Sequence, residues 1–281
     1  MANVEQYVDS GVAVITLNDG QRGNLLGPES LGELAAAVDR SQSDPAVRAV
    51  LLRSNGPSFC LGMDLGKVAQ AEMDGAASAA AASAAVSAYA DLLNGIFSSP
   101  LPFLCVLQGD VKAGGVGLAC ACDIVLATPQ ATFEMAEVLF GIIPANVLPY
   151  LLALRVPLQK ARYLVMTSRT LDAAEALRLN LIDELAAEAE IEKRVREILK
   201  RLLRSRPAAL AEVKVFTALL HGKEPREAGL LARQKLLDML KDAAVGAGIA
   251  AYQEGGLPSW SSQFRPKASL ARPGAPKGGT P

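Results

Sequence analysis

Two stretches near the start of the chain, 4–8 and 12–17, alternate apolar and polar side chains, with Ser10-Gly11 between them. A period of two gives a strand one inward face, so this segment predicts a β-hairpin. Pro28-Glu29-Ser30 then opens a helical period carried by Leu31, Leu34 and Val38. Residues 49–52 read as a short buried strand, ended by Asn55-Gly56-Pro57. A long Ala/Ser/Leu helix is expected over 71–97. Pro100 and Pro102 precede an apolar strand at 103–107, followed by a helix over 114–121 and a strand over 124–127.

Strands and helices therefore interleave through the first part of the chain. After Pro144 the pattern turns mainly helical, with helices predicted over 158–167, 171–179, 190–203, 208–220 and 227–252. Pro157 stands where a helix start accepts it. The reading is an α/β core over 1–200, a helical C-terminal region over 201–262, and a tail over 263–281. From Arg265 the chain holds four prolines and three glycines among mostly polar residues, a composition that predicts disorder.

Composition changes this picture little. The 281 residues suffice for one large domain or a domain with an appendage. A net charge of −1 gives no global field toward nucleic acid or an anionic membrane, so neither is expected as a partner. The first ten residues lack the apolar core of a secretory signal, and the Ala-rich run 76–90 is too broken by serine to span a bilayer. Cys60, Cys105, Cys120 and Cys122 sit in or beside apolar stretches and suit a reducing cytoplasm. Cys120 and Cys122 form a C-x-C pair with no second pair or histidine beside it, so no metal site is expected. The single histidine, His221, reads as a solvated helix end.

Three segments carry candidate chemistry. Phe59-Cys60-Leu61-Gly62-Met63-Asp64 reads as a strand end, a tight turn and an acid. Lys112-Ala113-Gly114-Gly115-Val116-Gly117 leads three glycines into an apolar helix, whose free N–H groups and positive end suit a developing negative charge. Its G-G-x-G spacing departs from the G-x-G-x-x-G of a dinucleotide site. In the third, Glu137 lies between Ala136 and Val138 in a run that stays apolar to Pro144. A carboxylate there has a raised pKa if buried, which suits proton transfer near neutral pH. Each segment alone also fits a plain turn, a close-packed helix start or a solvated glutamate.

In this order and spacing the three segments resemble the crotonase (enoyl-CoA hydratase/isomerase) superfamily. Supporting stretches are Gly23-Asn24-Leu25-Leu26, Asp123-Ile124-Val125-Leu126-Ala127, and 173–185, where Asn180 replaces a usual glycine. The resemblance implies an α/β crotonase fold, a spiral of ββα units with a helical C-terminal region, and a homotrimer. It implies an oxyanion hole made by the backbone N–H groups of Met63 and Gly114, with Glu137 as the acid/base. Typical hydratases of the superfamily carry an earlier glutamate as well. Its place falls at Gly117, so two-glutamate hydration is in doubt, and Asp64 is the candidate to supply the missing group or else only holds its turn.

The passage from Glu137 to Leu151, followed by Gln159-Lys160-Ala161-Arg162-Tyr163, narrows the resemblance. It is similar to the dehydrating enzymes of polyketide β-branching, which work with a 3-hydroxy-3-methylglutaryl synthase. That implies dehydration of 3-hydroxy-3-methylglutaryl to 3-methylglutaconyl thioester on an acyl carrier protein, in the cytoplasm, without metal or redox cofactor. The thioester would be carried on phosphopantetheine or CoA. The alternatives are a hydratase or isomerase of acyl-CoA and a non-catalytic relative that binds thioesters or carriers.

Overall fold

The structure, a computed structural model, describes residues 2–64, 66, 73 and 76–267. Its first sheet orders six strands as β1 (Val4–Asp9), β2 (Val12–Leu17), β3 (Ala49–Ser54), β5 (Phe103–Leu107), β7 (Ile124–Ala127) and β10 (Glu184–Leu185). β1 pairs antiparallel with β2, and every later pairing is parallel. Ser10 and Gly11 both take positive φ, 51° and 82°. That is the mirror-image turn whose twist matches a two-residue hairpin.

Helices cover both faces, so β2, β3 and β5 are buried along their whole length. Ala13, Ile15, Val50, Leu52, Phe103, Cys105 and Leu107 point to one side, against Leu31, Leu34 and Val38 of α1 (Pro28–Ser43) and Leu92, Leu93 and Ile96 of α2 (Ala76–Phe97). Their alternates, Val12, Val14, Ala49, Leu51, Leu104 and Val106, meet Val195, Ile198, Leu199 and Leu203 of α6 (Ile191–Arg204) on the other.

A second, smaller sheet holds β4 (Ser58–Cys60), β6 (Asp110–Lys112), β8 (Thr132–Glu134) and β9 (Leu171–Asp172) in that order. The first three run parallel, and β9 returns antiparallel to β8. Further helices among the described residues are α3 (Gly114–Ala121), α4 (Leu158–Thr167), α5 (Ala173–Arg178), α7 (Pro207–Leu220), α8 (Pro225–Leu240) and α9 (Ala243–Gln253). A wide π-helical turn, Leu151–Arg155, precedes α4. Among the described residues no helix is long and apolar enough to cross a membrane.

The chain departs from its sequence pattern in three places. The helix expected over 171–179 starts as β9, and α5 begins only where the Asp172 carboxylate caps the Glu175 N–H at 2.7 Å. The helix expected over 227–252 is two, because Asp242 leaves the helical conformation and caps Ala244. The tail expected from 263 is packed at its start. Phe264 is buried against the α6 side of the sheet, and the Lys267 N–H donates to Asp9 at 2.7 Å. Asn180, in the place of the usual glycine, takes φ +63°, a conformation asparagine tolerates better than most residues. The start of the helix expected from Ala71 lies outside the described residues.

Candidate active site

The three segments singled out in the sequence follow the ends of three neighbouring parallel strands. Leu61–Asp64 leaves β4, Ala113–Gly114 leaves β6 and Met135–Glu137 leaves β8. With Ser58 opposite Asp110, and Lys112 opposite Glu134, these exits lie side by side. Parallel pairing is what puts three carboxyl ends on one edge.

The first exit is tied to the loop after the hairpin. Leu61 N–H donates to Gly23 O at 3.0 Å, Leu26 N–H to Gly62 O at 2.8 Å, and Asp64 N–H to Leu26 O at 3.2 Å. Buried Asn24 secures that loop, its amide donating to Asn55 O and Ser58 O. In this parallel bridge the N–H groups used are those of Leu26 and Asp64, so the N–H of Met63 turns the other way.

The second exit presses directly on the first. A Cβ at Gly62 would stand 2.8 Å from the Ala113 Cβ and 2.9 Å from the Gly114 nitrogen. A Cβ at Gly115 would meet the Cys60 carbonyl oxygen at 2.3 Å, so only glycine lets α3 approach β4 this closely. Ala113 itself sits at φ +47°, ψ −114°, a conformation that costs an L-residue about 1–3 kcal/mol. Its N–H is anchored to Glu134 O at 2.9 Å. Gly114 opens α3, where N–H groups have no intrahelical acceptor. Among the described residues neither Met63 N–H nor Gly114 N–H is given to a protein acceptor. Two free donors on touching loops, one at a positive helix end, are an arrangement that can receive an oxyanion.

The third exit supplies the acid/base candidate. Glu137 opens a short 3-10 turn, Glu137–Phe140, and is buried, whereas Leu139, Phe140, Ile142 and Ile143 behind it are exposed. Its Oε2 is buried without a hydrogen-bond partner. Burial pushes its pKa above the ordinary carboxylate value, against the opposing pull of its own backbone N–H, and the charge of Glu134 adds to the rise. Tyr89 joins these pieces. Its hydroxyl donates to Gly114 O at 2.6 Å, and burial, helped by the charge of Glu137, raises its pKa well above 10.

Met63, Gly114 and Glu137 thus stand on the adjoining exits of β4, β6 and β8. Asp64, next to Met63 on the same exit, also lines a surface cleft with Asn3, Arg22, Leu25 and Glu29, and its charge acts on Arg22. The charge of Glu134 bears on Glu137. Among the described residues no group of three or more metal-ligating side chains converges. Burial raises the Cys60 and Cys120 thiols to about 12, which makes them poor thiolate ligands. His221 caps the exposed end of α7. Tyr89 was not singled out from the sequence. The available signal was a gap: Gly117 leaves a space in a close-packed site that another side chain has to fill.

The profile of the enoyl-CoA hydratase/isomerase family matches residues 8–263. The chain belongs to that family. Within this crotonase group, the Bacillus subtilis "Bacillaene synthase dehydratase PksH" is 29% identical over 90% of this chain and 95% of its own length. A Rhodobacter capsulatus protein named "Probable enoyl-CoA hydratase" is 31% identical over 89% of this chain and 95% of its own. The crystal structure of an enoyl-CoA hydratase/isomerase from Marinobacter aquaeolei superposes with a TM-score of 0.84 at 25% identity, covering 93% of this chain and all of that one. The crotonase fold expected from the resemblance is therefore the fold of the chain, and its relatives' names are those of hydro-lyases.

Proposed function

We propose that the enzyme removes water from a 3-hydroxy-3-methylglutaryl thioester on an acyl carrier protein, giving the 3-methylglutaconyl thioester of a polyketide β-branch. The observation that carries the reading is a single buried carboxylate with an unpartnered oxygen, Glu137, beside two free N–H donors at strand exits. The similarity to PksH supports the polyketide substrate.

In this mechanism the thioester carbonyl lies against Met63 N–H and Gly114 N–H. Glu137 takes the C2 proton, and the electron pair moves into the carbonyl as an enolate. Donors that are already fixed need not reorganise as that charge develops, and each is worth about 3–4 kcal/mol. The enolate then expels the C3 hydroxyl, which leaves as water with a proton from Glu137 or Asp64. The raised pKa of Glu137 fits a group that must both accept and return a proton near neutral pH. The reaction balances without an external oxidant or reductant, and no cofactor is assigned beyond the phosphopantetheine or CoA that carries the substrate. A homotrimer in the cytoplasm completes the proposal.

A second reading, reversible hydration of enoyl-CoA, is favoured by the Rhodobacter relative. Mass spectrometry of the acyl group separates the two when carrier-bound and CoA-bound substrates are compared. Loss of water from the carrier-bound substrate, at least tenfold faster than from CoA, is expected. Glu137→Gln should slow it roughly 10²–10⁴-fold. Near-native dehydration by that variant would overturn the assignment of Glu137.

A further inference from the structure

Gly117 stands where hydratases of this family are expected to carry their earlier glutamate, and its emptiness has a structural counterpart. A Cβ at Gly117 would lie 2.1 Å from the Tyr89 hydroxyl, 3.1 Å from a Val147 methyl and 3.3 Å from the Tyr89 ring. A glycine is the residue that leaves room for the phenol. The phenol comes from the middle of α2, is 2% exposed, and donates to Gly114 O at 2.6 Å.

We propose that Tyr89 is a positioning residue of the oxyanion hole: its phenol fills the volume of the missing side chain and holds Gly114 by its carbonyl, keeping the Gly114 N–H aimed at the thioester oxygen. Ala113, at φ +47°, would relax toward an ordinary conformation if released, and would carry the Gly114 amide with it. Two hydrogen bonds prevent this. Ala113 N–H is held by Glu134 O on one side of the turn, and Gly114 O by the Tyr89 hydroxyl on the other. The first comes from β8, the strand that leads into Glu137, and the second from α2. The donor is thereby referenced to both walls of the site. Because burial raises the Tyr89 pKa well above 10, the phenol stays a donor throughout the working pH range.

The proposal rests on the oxyanion-hole part of the proposed function but not on the identity of the substrate. Its test therefore reads the carbonyl directly. Infrared difference spectra of butyryl-CoA, and of the butyrylated carrier protein, each labelled with ¹³C at the thioester carbonyl, report how strongly the bound carbonyl is polarised. The wild type should lower the stretching frequency relative to free thioester. Tyr89→Phe, which removes one oxygen atom, should return it at least halfway to the free value. It should also lower kcat about tenfold, less than loss of an oxyanion donor itself, with KM changed less than twofold. A wild-type frequency shift retained in full by folded Tyr89→Phe would overturn the proposal.

A second pair of variants covers a Tyr89→Phe protein that folds poorly. Gly117→Ala should displace the phenol and reproduce the loss of polarisation, and adding it to Tyr89→Phe should change little further. Full additivity of the two would also overturn the proposal. If the wild type polarises the carbonyl but does not dehydrate the carrier-bound substrate, the substrate assignment falls and Tyr89 keeps its role. If the wild type does not polarise it, both fall.

Discussion

The central sheet and the C-terminal helices treat their apolar residues in opposite ways. Every residue of β2, β3 and β5 is buried, and helices close both faces. In α7 and α8 no residue is buried, and in α9 only Gly248 is. Val215 is 65% exposed, Leu230 66% and Tyr252 76%. The core satisfies its own hydrophobic pattern, while the helices carry one that this chain alone leaves uncovered. Scattered exposed leucines are ordinary, but a three-helix region exposing most of its apolar side chains points to cover by another molecule. The proposed homotrimer would supply it. The candidate site lies on the strand exits of the smaller sheet, outside the C-terminal helices.

The largest test of this contrast is truncation on each side. Phe103→Ala should cost about 3–5 kcal/mol of stability in urea unfolding, because a buried ring leaves a cavity. Leu230→Ala, measured at a protein concentration too low for assembly, should stay within about 0.5 kcal/mol of wild type. Equal costs would erase the distinction.

The next test cuts the link between the regions. The Lys214 ammonium of α7 reaches into the core, donating to Asp123 at 2.9 Å and to the carbonyls of Leu101 and Ile96. Lys214→Ala should cost about 1.5–3 kcal/mol, the range for hydrogen bonds to charged groups. Burial already holds the Asp123 pKa above its usual value despite Lys214. A carboxylate raised in the fold is destabilising when ionised, and losing the ammonium raises it further. The deficit of Lys214→Ala should therefore be greatest above that raised value and shrink as pH falls through it. A deficit that instead grows on acidification would show that Asp123 is not the group left exposed to the loss.

Third in size, Leu230→Asp should weaken self-association at least tenfold, about 1.4 kcal/mol, in sedimentation experiments while leaving the core's unfolding midpoint in place. Unchanged association would remove α8 from the contact. The smallest effect concerns the site itself. Ionised Glu137 is buried, so its raised pKa means that the fold is less stable above that value than below it. Glu137→Gln carries no charge. It should be slightly more stable than wild type at pH 8, with the gain vanishing as pH drops toward the ordinary carboxylate range. A variant less stable than wild type at pH 8 would contradict the burial cost assigned to Glu137.

The two regions also differed in how readily their sequence could be read. The helix over 114–121 and the strand over 103–107 emerge with the bounds read from their patterns, because long apolar runs between glycine and proline leave little choice. The strands that carry the site were not legible. β4, β6 and β8 are three residues each, too short for a period of two to register, and only their pairing makes them strands. The break at Asp242 was hidden because the apolar period continues across it, and the cap is a local hydrogen bond. Glu137, Met63 and Gly114 were proposed through a resemblance spread over three segments. Tyr89 was not, since its bond to Gly114 spans 25 positions and leaves no local spacing to read. Asp64 follows Met63 directly and lines the cleft beside Arg22, a placement its sequence position did not reveal.

The three strand exits that meet at the site come from positions 62, 114 and 137, joined by two parallel pairings with long stretches of chain between them. Non-local parallel pairings form slowly, because loop-closure entropy is lost before any contact is gained. The proposed receptor for the thioester is thus among the last parts of the molecule to exist during folding, and an incompletely folded chain would have no such oxyanion hole with which to seize an acyl group. A thioester analogue should accordingly slow unfolding in proportion to its affinity and leave the refolding rate unchanged, since its binding energy appears only after the transition state has been crossed.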